Sequence, residues 1–235
     1  MKKLLLLIAL ILVCKSLFSQ TLNTLSPKEK KQGWHLLFDG KTADGWHTYL
    51  KPSIGSAWSV SDGTLKLDAM AKEGRGDIVS DKEYENFEFS IDWNIAEGGN
   101  SGVMFLVHEE GIYKDTYTTG PEYQLLDDKK ADDNKLPSHL AGSLYDIITP
   151  AKEAENPAGQ WNHTVIRLQN SKLTFWLNGI KTVETKLWDA NWDAMIAKSK
   201  FKAYKEFATF HKGRIALQDH HGYSIAFRNI KIREL

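Results

Sequence analysis

The residues best suited to chemistry in this chain are an acid and an amide, two positions apart in the segment 120–128. Glu122 and Gln124 alternate with Tyr123 and Leu125, so a strand here would direct both polar side chains to one face. Turn-forming pairs, Gly-Pro before and Asp-Asp after, bound the segment, so this face lies where a sheet presents ligands. An acid beside an amide suits a polyhydroxylated substrate.

Three further polar clusters lie elsewhere in the chain. In the segment 138–146, small residues separate His139 from Tyr145 and Asp146, which would let a ligand approach the backbone. Asn100 adjoins a pair of glycines. The last cluster interrupts an apolar pair of C-terminal strands, and its members are Gln218, Asp219, His220 and His221. If the fold brings these clusters together, they form one site.

Each cluster also has a purely structural interpretation. The acid and the amide would face solvent on an ordinary half-buried strand, and His139 would form a structural hydrogen bond in a loop. The acidic segment 127–139 would be a long exposed loop. Within it, Asp127 and Asp128 are candidate ligands for a hard divalent cation such as calcium, magnesium or manganese, and no other cofactor is indicated.

Several familiar enzyme motifs are absent from the sequence. It contains no G-x-S-x-G nucleophile elbow, phosphate-binding glycine loop, dinucleotide fingerprint or H-E-x-x-H zinc motif. Ordinary retaining glycoside hydrolysis needs two carboxylates about 5–5.5 Å apart. The segment 120–128 offers only one obvious acid for that mechanism, because Gln124 occupies the place of a second.

The N-terminal segment 1–19 has the pattern of a secretory signal peptide. Two lysines precede an apolar run, and small or polar residues follow around Ser19. The run is shorter than the roughly 20 apolar residues that a membrane-spanning helix requires. We therefore expect a periplasmic or secreted protein with no membrane span. Lipidation of Cys14 stays open, although a bulky residue precedes it.

Cleavage near Ser19 defines the chemistry of the mature chain. It removes the only cysteine, which excludes disulfides and thiolate metal sites. The full chain has 30 basic and 30 acidic residues, and the cleaved segment takes three lysines and no acid, leaving 27 against 30. This balance argues against a nucleic-acid partner. The remainder fits a leader, 20–32, and one domain, 33–235.

Short strands dominate the predicted secondary structure of the domain. Roughly a dozen turn-bounded apolar runs are typical of an all-β antiparallel sandwich. The Asp62-Gly63 pair predicts a hairpin, and the alternating segments 87–93 and 102–108 are predicted to be neighbouring antiparallel strands. Apolar residues spaced mostly three to five apart over 191–210 predict a short helical insertion.

Six motifs, in order from about residue 33 to the C-terminus, resemble one secreted bacterial family. They are G-W-H-L-L-F-D-G-K-T-A-D-G-W (33–46), G-G-N-S-G-V-M-F (98–105), P-E-Y-Q-L-L-D-D (121–128), A-G-S-L-Y-D (141–146), G-Q-W-N (159–162), and I-A-L-Q-D-H (215–220) with F-R-N-I-K-I (227–232). The family is that of the 3-keto-disaccharide hydrolases, also called 3-keto-glucoside 1,2-lyases and 3-keto-2-hydroxyglucal hydratases. No single motif is diagnostic, but six in register make the resemblance specific.

The resemblance implies a concanavalin A-like jelly-roll β-sandwich that acts on glycosides already oxidised at C3 by a separate oxidoreductase. A ketone at C3 acidifies the C2 proton, so one base can remove it. An enediolate forms, the C1 leaving group departs, and water can add to the resulting glucal. This chemistry needs a base, a donor or cation for the enolate oxygen, and an acid for the leaving group.

Residue types at the matching positions suggest the roles. The catalytic candidates are Glu122, His139, Tyr145 and His220, and proton abstraction would fall to His139 or Glu122. The substrate-binding candidates are Asn100, Gln124, Asp146, Gln218 and Asp219. Among these, Gln124 or Gln218 would stabilise the enolate, as would a bound divalent cation. Two other functions stay open, namely a non-catalytic glycan-binding module and an ordinary glycoside hydrolase of the same fold.

Overall fold

Two antiparallel β-sheets pack face to face in the computed structural model, which describes residues 21–235. The predicted signal peptide, 1–19, and Cys14 lie outside the described residues. Among the residues from 21 onward, no helix is long and apolar enough to cross a membrane. The prediction of an all-β sandwich with a short helical insertion is confirmed.

The larger sheet has eight strands and the smaller sheet has five. In spatial order, the larger sheet contains β11 (Ile180–Lys186), β10 (Lys172–Leu177), β9 (Asn162–Gln169), β6 (Phe87–Ile95), β13 (Ile225–Glu234), β4 (Thr64–Leu67) and β3 (Trp58–Ser61), with β1 (His35–Leu36) also paired to β13. The smaller sheet contains β2 (Trp46–Thr48), β5 (Ile78–Ser80), β12 (Arg214–Leu217), β7 (Asn100–Val107) and β8 (Glu122–Leu126).

Helical elements are short. The α-helices are α1 (Pro27–Lys31) and α2 (Ala190–Ile196), and the 3₁₀ turns are Thr116–Thr118, Pro137–His139 and Lys200–Ala203. The apolar spacing predicted a helix over 191–210. The second helix begins one residue before this segment, and the last 3₁₀ turn lies within it. The last 3₁₀ turn contributes Lys200 and Phe201 to the site described below.

Aromatic side chains from both sheets fill the space between the layers. Phe105 of β7 contacts Phe87 of β6 edge to face, with ring centroids 6.3 Å apart, and contacts Phe175 of β10 in the same way at 5.9 Å. Tyr123 of β8 also packs against Phe175, at 4.8 Å. Because Tyr123 points into this core, its neighbours Glu122 and Gln124 point to the opposite face of the smaller sheet.

One expectation about strand pairing is wrong. The predicted hairpin at Asp62-Gly63 forms between β3 and β4, but β6 and β7 are not neighbours. β6 pairs with β9 and β13 in the larger sheet, whereas β7 pairs with β8 and β12 in the smaller sheet. The turn between them carries the chain from one layer to the other. Alternation reports which face of a strand is buried and does not report the partner strand.

The leader docks onto the sandwich. Ser26 caps α1 in a capping box with Glu29. Asn23 is buried, and its backbone N–H donates to the side-chain oxygen of Asn229 at 2.7 Å, while the Asn229 N–H donates back to Asn23 Oδ1 at 2.8 Å. The Asn23 amide nitrogen also donates to the Gly63 carbonyl at 2.9 Å. These bonds fix the leader to β13 and to the β3–β4 hairpin.

We expect Asn23→Ala to lower the free energy of unfolding by about 1–3 kcal/mol, because it leaves the Asn229 N–H and the Gly63 carbonyl without their partner. Urea unfolding followed by tryptophan fluorescence measures this change. Thr21→Ala is the control, since Thr21 is exposed, and it should change stability by less than about 0.5 kcal/mol. Equal stabilities of the two variants would show that the leader contributes nothing to the fold.

Candidate active site

A cavity of about 190 Å³ opens on the outer face of the smaller sheet. Strands β7 and β8 provide its floor, and residues after β12 and in the helical insertion provide its walls. Its lining residues are Asn100, Tyr117, Glu122, Gln124, Tyr145, Lys200, Phe201, Gln218 and His220. Three of the four predicted catalytic residues and three of the five predicted substrate-binding residues therefore meet at one place.

Glu122 is the one carboxylate that lines this cavity among the described residues. Its side chain is buried, and burial raises its pKa to about 8, although the nearby Lys200 ammonium opposes the shift. The carboxylate lies directly over Gly102 of β7, where a Cβ would come within 1.9 Å of Glu122 Oε1. Gly102 is therefore the residue that makes room for the acid.

Two amides connect Glu122 to the rest of the site. The Gln124 side-chain nitrogen donates to Asn100 Oδ1 at 3.3 Å. With the amide turned over, the same side chain donates to Glu122 Oε1 at 3.3 Å and to the Ser101 carbonyl at 3.1 Å. In either orientation Gln124 is buried and its reach is restricted to these partners. The amide thus stands between the acid and Asn100.

Asp133 organises the loop side of the site, and no sequence pattern distinguished it from the other acidic residues of its loop. Its Oδ2 accepts a hydrogen bond from the Tyr145 hydroxyl at 2.8 Å and a longer one from the Asn100 amide at 3.5 Å. Its Oδ1 lies 2.8 Å from His139 Nδ1. The segment 127–139 therefore folds back over the sheet, and one of its carboxylates joins three site residues.

His139 lies behind the cavity wall and does not line the cavity. Both of its ring nitrogens face carboxylates, Nδ1 at Asp133 and Nε2 at Asp146, the latter at 3.1 Å. Its ring packs against Tyr145 with centroids 4.3 Å apart. Asp146 is equally occupied, since its other oxygen accepts the Lys200 backbone N–H at 2.7 Å. This arrangement suits both residues to positioning Tyr145 and Lys200.

Lys200 and Phe201 enter the site from the helical insertion, which the sequence predicted without assigning it any function. The Lys200 ammonium lies over the Tyr145 ring, 4.1 Å from its centroid. It forms no salt bridge within the described part of the chain. Apolar spacing placed the insertion, but only the folded chain shows that it delivers a cation beside Glu122.

A second, larger cavity of about 460 Å³ adjoins the first. Tyr117, Gln218 and His220 line both cavities and so stand at their junction. Gln218 Oε1 is buried and has no hydrogen-bond partner, and burial lowers the pKa of His220. We call the smaller cavity the inner cavity and the larger one the outer cavity.

Asp219 lies on the wall of the outer cavity, where its carboxylate already has partners. It forms an ion pair with Arg75, whose Nε donates to Oδ2 at 3.2 Å, and it accepts the Gly76 N–H at 2.8 Å. Its own backbone N–H donates to Asp77 Oδ1 at 2.8 Å. Asp219 therefore fixes Arg75 at the cavity wall, and direct substrate binding by its carboxylate stays a prediction.

The candidate metal ligands lie apart from both cavities. Asp127 accepts the backbone N–H groups of Gly98 at 2.8 Å and Lys129 at 3.1 Å, and Asp128 accepts the Ala141 N–H at 2.7 Å. Burial raises the pKa of Asp128 to about 6. Within residues 21–235 no three His, Cys, Asp or Glu side chains are grouped to hold a metal ion. Both aspartates accept backbone N–H groups that stabilise the loop, and metal binding by them stays a prediction.

Comparison with known proteins gives consistent results. Residues 33–233 match the model of a family described as the 3-keto-alpha-glucoside-1,2-lyase-like domain. A 3-keto-disaccharide hydrolase from Bacteroides thetaiotaomicron is 31% identical, over 94% of this chain and 85% of that protein. A provisionally assigned glycosyl hydrolase from Parabacteroides distasonis has 32% identity and a TM-score of 0.83, over 92% of this chain and all of that one.

More distant structures share the fold alone. A Bacillus subtilis protein of unknown function with a galectin-like fold has a TM-score of 0.55 at 12% identity, over 92% of this chain and 95% of that one. The chain belongs to the 3-keto-alpha-glucoside-1,2-lyase-like family, which confirms the resemblance found in its sequence.

We expect Gly102→Ala to displace the Glu122 carboxylate, because the new Cβ would lie 1.9 Å from Oε1. On the prediction that Glu122 is catalytic, turnover of a 3-keto-glucoside should fall by at least about tenfold, since small misplacements of a catalytic group are costly. Gly111→Ala is the matched control, because a Cβ there meets nothing within 4 Å. Thermal unfolding shows whether a loss of turnover comes from lower stability or from the displaced carboxylate. Full activity in Gly102→Ala would contradict the close approach of Glu122 to Gly102.

Proposed function

We propose that this protein cleaves 3-keto-glycosides by removing the C2 proton and eliminating the C1 leaving group. Family membership and the name of the Bacteroides relative support a glycoside-acting enzyme of the 3-keto-disaccharide hydrolase kind. The observation that carries the finer mechanism is that Glu122 is the one carboxylate lining the inner cavity in the described chain. Acid-pair hydrolysis would need a second carboxylate, and elimination from a ketone does not.

Glu122 is the preferred base. Its pKa of about 8 in the inner cavity places it in the range where a carboxylate is a much stronger base than in water. The C–H bond at C2 would break as the proton moves to the Glu122 carboxylate, and its electron pair would form the C2–C3 double bond of an enediolate. His139, the other candidate base, has a carboxylate beside each ring nitrogen.

Three donors in the inner cavity suit the negative charge that develops on the C3 oxygen. The Lys200 ammonium is cationic, and Gln124 and Asn100 supply amide N–H groups. Preorganised donors of this kind stabilise an enolate because they need no reorientation during the reaction. Burial and the Asp133 carboxylate raise the pKa of Tyr145, so its hydroxyl stays protonated and donates to Asp133.

His220 is the candidate donor to the leaving group. It stands at the junction of the two cavities, where a glycosidic oxygen would lie if the sugar ring occupied the inner cavity. Collapse of the enediolate would break the C1–O bond. The leaving oxygen would then take a proton from the His220 imidazole or from water. Addition of water to the resulting 3-keto-2-hydroxyglucal would complete a net hydrolysis.

The cellular setting follows from the sequence and from the chemistry. We propose that the mature protein acts in the periplasm or outside the cell after removal of segment 1–19. Its substrate must first be oxidised at C3, so a glycoside 3-oxidoreductase must act before it.

The direct test is to incubate the purified mature protein with a 3-keto-glucoside and follow release of the aglycone, with and without chelator. We expect release from the 3-keto substrate and none from the unoxidised glucoside. Glu122→Gln should lower the rate by at least about 100-fold, because general base catalysis contributes about 10²–10⁴. Release from the unoxidised glucoside would indicate an ordinary hydrolase, and binding without release would indicate a glycan-binding module.

Activity and stability should depend on pH in opposite ways. The base must be ionised, so kcat/KM should rise with pH towards the Glu122 pKa of about 8. Stability should fall over the range from 4.5 to about 8, because the unfolded chain releases the Glu122 proton while the folded chain retains it. Glu122→Gln should therefore melt progressively higher than the wild type as pH rises. A Tm difference that does not change with pH would contradict the raised pKa.

A further inference from the structure

A single carboxylate connects the two chain segments that meet where the inner and outer cavities join. Asp77 lies in the wall of the outer cavity, directly before β5. We propose that Asp77 is a positioning residue that fixes His220 at the junction of the cavities by holding the backbone of Asp219. The inference rests on the proposed function, in which His220 gives a proton to the leaving group.

Asp77 occupies the point where the pairing of two strands ends. β5 and β12 are antiparallel, and the last pair at this end joins Ile78 to Leu217. Beyond that pair, Asp77 Oδ1 accepts the Asp219 backbone N–H at 2.8 Å. The carboxylate therefore continues the hydrogen bonding where the backbone ladder stops, and it holds the chain one residue before His220. We call this contact the Asp77 anchor.

The second oxygen of the same carboxylate faces the opposite segment. Asp77 Oδ2 accepts the hydroxyl of Thr116, which is fully buried. Thr116 directly precedes Tyr117, and Tyr117 and His220 line both cavities. One carboxylate thus fixes the backbone beside two of the three residues at the junction, and the Thr116 bond holds the carboxylate in the orientation that reaches Asp219.

The electrostatics of Asp77 strengthen the anchor. Burial raises its pKa to about 6, and the hydrogen bonds from Thr116 and from the Asp219 N–H oppose this shift because they favour the anion. Hydrogen bonds to an ionised acceptor are stronger than those between neutral groups. The link is also reciprocal, since the Asp219 carboxylate accepts the Gly76 N–H at 2.8 Å. The two segments are therefore bonded in both directions.

Proton donation to the leaving oxygen depends on where the donor is held. A general acid must lie within about 2.6–3.2 Å of the atom that it protonates. Without the Asp77 anchor, the Asp219 backbone loses a partner and His220, the next residue, is no longer fixed. The loss should therefore affect leaving groups that need a proton and spare those that do not.

The test compares 3-keto-glucosides that release methanol or 4-nitrophenol. Methoxide is strongly basic and needs a proton as the C1–O bond breaks, whereas 4-nitrophenolate leaves without one. We expect Asp77→Ala to lower kcat by at least about tenfold for the methyl glucoside and by less than about twofold for the 4-nitrophenyl glucoside. Asp77→Asn should restore the wild-type ratio, because its amide oxygen still accepts the Asp219 N–H and its nitrogen donates to the Thr116 hydroxyl.

Asp92→Ala is the matched control. Asp92 lies on β6 of the larger sheet, where it accepts the Asn229 amide at 2.7 Å and lies 2.7 Å from His163 Nδ1. Its removal also breaks two hydrogen bonds, but the ratio of the two rates should stay unchanged. An equal fall for both substrates in Asp77→Ala, or an unrestored ratio in Asp77→Asn, would overturn the positioning role.

Amide hydrogen exchange examines the Asp77 anchor without relying on turnover. The Asp219 N–H should exchange at least about tenfold faster in Asp77→Ala than in the wild type, and at the wild-type rate in Asp77→Asn and Asp92→Ala. This pattern without cleavage of any 3-keto substrate would support the anchor and refute only the proposed function. Unchanged exchange in Asp77→Ala would overturn the anchor and leave the elimination chemistry untouched.

Discussion

Burial of a single carboxylate is the constraint on which the site depends. Glu122 lies on β8 with its side chain over Gly102, on the face of the smaller sheet that points away from the core. Desolvation of that carboxylate favours its neutral form, which raises its pKa and makes its anion a strong base. The raised pKa lowers stability at high pH. The aromatic core between the two sheets provides rigid support that offsets this loss.

The loops around the sheet then determine how the buried acid can be used. Asp133 joins Tyr145, His139 and Asn100, so one carboxylate connects the segment 138–146 with β7. Through Asp146, the same network reaches the backbone of Lys200. A change in this network would move the donors relative to Glu122 without touching the acid itself. The carboxylates of Asp133 and Asp146 lie behind the wall of the inner cavity, while the lining itself presents hydrogen-bond donors.

Much of the fold could be predicted from the sequence, because alternation and turn residues are local properties. The strand at 122–126, the hairpin at Asp62-Gly63 and the helical insertion follow from such patterns. The pairing of β6 could not be predicted, since it depends on which layer each strand joins. For the site, alternation correctly placed Glu122 and Gln124 on one face, but Asp133 and Lys200 come from a loop and an insertion whose positions only the tertiary fold determines.

The presence of an amide rather than an acid at Gln124 follows from the same electrostatics. A carboxylate at this position would lie about as close to Glu122 as the amide does, at 3.3 Å. Two buried acids so close together would share a proton, since like charges raise one pKa strongly. An amide adds no charge and can donate to a carboxylate or to an enolate oxygen. Glu122 therefore has no second carboxylate beside it in the lining of the inner cavity, as the proposed removal of a C–H proton by one base requires.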